Sequence, residues 1–163
     1  MVVRILTSID QPALNEWYAK AINSHIARWL SSTPYHAEFQ IKDASWNSVY
    51  LMDDKNYAIT QIAFEREKST AIIGHWRLGG TVYTSIDHFR KLLYVANLND
   101  VKYLEAATCV TNSTSARLCN YIFGTYWGIK SDACWDPFIA RWMHLVCYRD
   151  SVKNIRERNK RHV

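Results

Sequence analysis

The sequence predicts a single mixed α/β domain: a mostly antiparallel sheet with one parallel strand pair, flanked by helices. Three observations lead there. Strand-like and helix-like stretches follow the order strand, helix, three strands, helix, strand, helix, two strands. The strand-helix-strand passage at residues 70–110 needs a crossover connection, and so at least one parallel pair. Finally, 163 residues suffice for one sizeable core, and no Pro/Gly/Ser-rich linker divides them.

The first element is "VVRIL", residues 2–6, a short strand. Residues 10–32 read as a helix with Asp10 as N-cap and a proline tolerated in the first turn. Its apolar Leu14, Trp17, Tyr18, Ala21, Ile22, Ile26 and Leu30 recur at three- and four-residue steps and form one buried stripe. Residues 33–47 are mixed in character, and "AEFQI" at 37–41 is the one strand-like run among them. "SVYLMDD", "YAITQIAFERE" and "TAIIGHWRL" then read as an antiparallel meander, with "DDKN" and "EKS" as its turns.

After Gly79 and Gly80, "SIDHFRKLLYVANLN" keeps helical spacing through Ile86, Phe89, Leu92, Leu93 and Ala96. "VKYLEAATCV" alternates as a strand does, and "SARLCNYIF" is a shorter helix. "GTYWGIKSDACW" and "FIARWMHLVCYRD" close the domain near residue 150 as two aromatic-rich strands. Tyr126, Trp127, Trp135, Trp142 and Tyr148 stand at alternating positions in them; they suit a base-stacking platform, but core is the better reading. Residues 151–163 are a basic tail, read first as solvated chain and second as a contact for nucleic acid.

Composition narrows the function classes. Hydrophobic residues make up 48% of the chain, with seven Trp and ten Tyr, which is too apolar for disorder. No apolar run approaches the ~20 residues of a membrane span, and the first ten residues are too short for a signal peptide, so a cytoplasmic location is expected. Cys109, Cys119, Cys134 and Cys147 show no metal-ligand spacing, so buried free thiols are expected and no metal. No G-x-S-x-G elbow is present, which disfavours a serine hydrolase.

The stretch "RLGGTV" can hold an anion. Two glycines permit close backbone approach, Arg77 adds a charged donor, and a helix starting between Thr81 and Ser85 offers free amides. A plain strand-to-helix connection is the bland alternative. Arg77, Leu78, Gly79, Gly80, Thr81 and Val82 resemble the cofactor loop Q/R-x-x-G-x-G/A of the GNAT superfamily of acyl-CoA-dependent N-acyltransferases. They match at the first and fourth positions and depart at the last, where Val82 replaces Gly or Ala. Further along, Glu105, Asn112, Ser115, Gly124, Gly128 and Trp135 follow in the order found in members that act on ribosomal proteins. The similarity covers residues 70–150.

The resemblance implies a GNAT-like fold and an N-acetyltransferase that uses acetyl-CoA, without a metal, to acylate an amine of a protein, small molecule or nucleobase. It implies Glu105 as general base and the amides of residues 78–82 around the pyrophosphate. Backbone between His75 and Leu78 would polarise the thioester, and Asn112 and Ser115 would lie beside the cofactor arm. For the general acid, the family's Tyr falls at Asn120, leaving Tyr121 one residue away and Tyr126 as a substitute. The alternative is a catalytically degenerate protein of this shape that binds nucleic acid or works inside a larger assembly such as a virion. Small divergent proteins of this kind resemble those of tailed phages.

Overall fold

The computed structural model describes residues 3–21, 23, 48–55, 58–78 and 82–161, except for the side chains of 75–78 and 82–84. Among these residues seven strands form one sheet. They are β1 (Arg4–Ile5), β2 (Ser48–Asp53), β3 (Ala58–Glu65), β4 (Thr70–Leu78), β5 (Tyr103–Cys109), β6 (Gly128–Asp136) and β7 (Arg141–Ser151). Their order is β1-β2-β3-β4-β5-β7-β6. Every neighbouring pair is antiparallel except β4 and β5, the parallel pair that the crossover required.

Four helices accompany the strands among the described residues: α1 (Gln11–Ala21), α2 (Val82–Leu98), α3 (Ser113–Phe123) and α4 (Val152–Arg158). Strand alternation divides the side chains between two faces. On one face Leu51, Ile62, Ile73, Leu104, Ala106 and Tyr148 meet Leu92 and Leu93 of α2, Ile122 of α3 and Ile155 of α4 in one buried cluster. On the other, Leu14, Trp17 and Ala21 of α1 cover Tyr50, Met52 and Ile59. All four cysteines are buried and free, as expected. No helix among the described residues is long and apolar enough to cross a membrane.

The structure revises four sequence readings. Asp10 is not the N-cap of the first helix; it ends a 3-10 turn at Ser8–Asp10, and its carboxylate accepts the Thr7 N–H at 2.9 Å and Arg4 Nη1 at 2.6 Å. Within the same helix, Ile22, Ile26 and Leu30 lie outside the described residues, as do the strand proposed at 37–41 and the Gly79–Thr81 loop. Gly124 does not open a strand. It closes α3 at φ 82°, its N–H donating to the Asn120 carbonyl at 2.8 Å.

Third, the basic segment folds over Val152–Arg158 as α4, capped by Ser151, whose Oγ accepts the Asn154 N–H at 3.0 Å. Val152 and Ile155 enter the core, Arg156 donates to the Leu93 carbonyl, and Arg158 pairs with Asp150. Of its five Lys and Arg between residues 152 and 161, Arg156 and Arg158 are thus engaged with the rest of the fold. Fourth, of the aromatics read as core, only Tyr148 is buried, whereas Tyr126, Trp127 and Trp142 are well exposed.

Two predictions follow from this packing. Leu104→Ala, at a fully buried central position, should cost about 2–5 kcal/mol in urea unfolding, against about 0.5 kcal/mol or less for exposed Leu98→Ala. The Thr7 amide and then Arg4 hold the Asp10 carboxyl below its ordinary value. A depressed folded-state value gives stability that is present above the unfolded pKa of about 3.9 and is lost as pH falls through the folded one. Asp10→Asn should therefore be less stable than the parent at neutral pH, and the gap should close in strong acid.

Candidate functional site

The sheet parts in its middle. β4 and β5 pair from Thr70↔Tyr103 to Ile73↔Ala106 and no further, although β4 runs on to Leu78 and β5 to Cys109. The cause lies on the other edge of β4. Between the pairs Gln61↔Gly74 and Ile59↔Leu78, residues His75, Trp76 and Arg77 oppose Thr60 alone. Two extra residues in one strand bend it away from its regular line. β5 cannot follow, because β7 holds it as far as Cys109↔Leu145. A wedge opens, and among the described residues the distal half of β4 has no strand partner on that side.

The bulge is tied down from behind. Thr60 is buried, and its hydroxyl lies 2.8 Å from Nδ1 of His88, also buried, less than two turns into α2. Both are polar groups in apolar stretches, which is the only sequence signal they give. Their contact joins the strand opposite the bulge to the helix behind the wedge.

Three residues, Gly79, Gly80 and Thr81, separate the end of β4 from the start of α2. The four chain steps from Leu78 to Val82 span at most about 14 Å and keep the helix N-terminus near the open end of the wedge. The first-turn amides of a helix have no intrahelical partner, and the helix dipole makes that end positive. An anionic group beside a parted strand edge is what such an arrangement can hold.

Glu105 stands on β5 in register with Ile72, one residue before the pairing ends. Its neighbours Leu104 and Ala106 enter the helix-covered core, so its carboxylate faces the opposite side of the sheet. There Oε1 lies 3.1 Å from Nε of Arg149, its cross-strand partner on β7. The Arg149 guanidinium also sits 4.5 Å from the centre of the Tyr103 ring. Both charged side chains are about one-third exposed. The sequence offered no local sign of this pair, since 44 positions separate its members.

Asn112 caps α3, its Oδ1 accepting the Ser115 N–H at 3.1 Å, which accounts for the N-x-x-S spacing. The turn before it is pinned to β6, because Thr111 donates to the buried Asp136 carboxylate at 2.9 Å. Tyr121 is half-exposed on α3, on the far side of the sheet from the Glu105 carboxylate, and the structure does not bring the two together. Nor does Cys119 offer a nucleophile: burial, only partly offset by a Ser115 hydrogen bond, pushes its thiol up to about 12.

No family model and no curated sequence matches the chain. Solved structures do. A ribosomal-protein-alanine N-acetyltransferase from Brucella melitensis is similar at a TM-score of 0.63 and 15% identity over 93% of this chain and 99% of its own. A ribosomal-protein-S5-alanine acetyltransferase from Vibrio fischeri gives 0.68 at 12% identity over 93% of each chain. A Chromobacterium violaceum protein described as a probable acetyltransferase of the GNAT family gives 0.67 at 14% identity over 93% and 82%. At these identities the likeness is one of fold, and the fold is the one expected from the sequence.

The cap carries a prediction. Asn112→Ala should destabilise the protein by about 0.5–2 kcal/mol in denaturant titration, and Asn112→Asp should recover most of the loss.

Proposed function

We propose that this chain, which has the GNAT fold, is an acyl-CoA-dependent N-acyltransferase that transfers an acetyl group to an amine. The observation that carries the reading is the wedge between β4 and β5, which opens toward the end of β4 and the N-terminus of α2.

Three parts of acetyl-CoA would find counterparts there. The α2 N-terminus and residues 78–82 would hold the pyrophosphate, with Arg77 as a charged donor. The pantetheine amides would pair with the open edge of β4 as an added strand does. Amides of the bulge, between His75 and Leu78, would donate to the thioester oxygen as charge develops on it. Asn112 and Ser115, at the start of α3, flank the same end of the sheet. No metal enters the scheme.

The amine nitrogen attacks the thioester carbon; the carbon-nitrogen bond forms, the carbon-sulfur bond breaks, and the CoA thiolate leaves. Glu105, with Arg149 beside it, would take the proton the amine sheds. Arg149 is then a positioning residue. Tyr121 remains the candidate to return a proton to the thiolate, and its place on the far side of the sheet makes solvent its competitor. The acceptor is an amine of a protein or small molecule; the ribosomal-protein acetyltransferases that share the fold favour the protein end of that range.

A second reading has one observation behind it. The Glu105–Arg149 ion pair suits a protein of this shape that binds without catalysing. Calorimetry with acetyl-CoA, coupled to a thiol-release assay over a panel of amines, separates the two. The enzyme reading expects binding and turnover, and expects Glu105→Gln to lower kcat by about 10²- to 10⁴-fold while the Kd for acetyl-CoA moves only a few-fold. Absence of heat overturns the acyl-CoA assignment, and unchanged turnover in the variant removes Glu105 as base.

A further inference from the structure

The buried pair Thr60 and His88 sits among apolar neighbours on both of its elements. Thr60 precedes Ile62 and Phe64 on the helix-covered face of β3, where a valine would have the same shape. His88 shares the inner stripe of α2 with Phe89 and Leu92, where a leucine would serve for packing. Both side chains are fully buried, with the Thr60 hydroxyl 2.8 Å from Nδ1 of His88.

Stability alone does not call for this pair. Burying a hydroxyl and an imidazole carries a desolvation cost that their hydrogen bond offsets only in part, and exchanging both partners for apolar groups of similar shape is close to neutral or stabilising. What the bond adds is direction. Apolar contact is non-directional, whereas a hydrogen bond fixes a distance and an angle.

Its two ends lie where the proposed chemistry needs alignment. Thr60 alone opposes His75, Trp76 and Arg77, the bulge whose amides would meet the thioester oxygen. His88 lies less than two turns from the start of α2, the helix whose N-terminus would hold the pyrophosphate.

We propose that the Thr60–His88 hydrogen bond is a positioning device for acyl transfer, an inference that rests on the acyl-CoA reading of the wedge. It sets the axial register of α2 against the bulge, so that a cofactor anchored by its pyrophosphate presents its thioester oxygen to the bulge amides. Without the bond the helix is free to slide. One residue of helix rise is about 1.5 Å, and a misplacement of about 1 Å at the reacting centre costs on the order of 10²-fold in rate. Ground-state binding tolerates the slip, because the pyrophosphate and the pantetheine arm each keep their own contacts, and only the transition state needs both ends in place at once. Both residues act through the bulge and the helix, and neither is a catalytic residue.

Calorimetry with acetyl-CoA and thiol-release kinetics on variants of the whole chain test this. Thr60→Val combined with His88→Leu should unfold in urea at or above the parent midpoint, hold its Kd for acetyl-CoA within about threefold, and lose at least about tenfold in kcat. Thr60→Ser keeps the hydroxyl and should return most of that kcat. Thr60→Val alone strands the imidazole; it should lower both the urea midpoint and kcat while sparing Kd, and it reports even where the double exchange disturbs folding. From a parent that binds and turns over acetyl-CoA, a double variant with the parent's kcat overturns the inference and leaves the acyl-CoA reading standing. So does a Thr60→Ser variant as slow as Thr60→Val. A parent that gives no heat with acetyl-CoA overturns both.

Discussion

Four residue pairs between β4 and β5 join the two halves of the sheet, and the place where they stop decides what the molecule can do. Had the pairing continued to Leu78 and Cys109, the sheet would be closed and the Gly-Gly loop an ordinary connection. Had it stopped sooner, Ala71 and Leu104 would lose their places in the shared core. Backbone N–H and C=O groups resist being left without partners. The open edge of β4 therefore persists only because the bulge bends one strand away while β7 holds the other. A strand edge held open in this way is where the amides of a proposed cofactor arm would pair.

The same logic explains which features could be read from the sequence. "TAIIGHWRL" matches β4 residue for residue, and α2 begins within the predicted interval, because both depend on local periodicity. The parting of the strands is not local. It depends on register between segments about thirty residues apart, and only the glycines beyond it left a trace. Helix α4 was hidden by its charge, since Val152 and Ile155 are the only apolar residues on its buried stripe and basic residues surround them. Ser151 as its cap was the available signal. Alternation assigned Trp127 and Trp142 to the core because a strand pattern gives the face of a side chain but not whether a helix reaches far enough to cover it.

Glu105 lies on the strand and Asn112 at the helix start where the sequence pattern puts them, and their partners are what the pattern does not show. The Asn112 side chain serves the α3 amides, so its structural role is complete without any ligand. Arg149 faces Glu105 because β7 inserts beside β5, a long-range consequence of topology. Thr60 and His88 likewise lie 28 positions apart, and their meeting fixes the seat of α2 relative to the bulge.

That insertion also bears on how the chain reaches its native state. β7 follows β6 in sequence yet lies inside it in the sheet, with β6 outermost. The pair, joined by the short turn of Pro137–Ala140, can zip together early, because its contacts are local. Docking onto β5 must then close the longer loop that contains α3, an entropic cost met before any packing repays it. Any delay in that docking would leave the outer edge of β5 uncovered in a half-formed sheet, which is the kind of edge that invites aggregation.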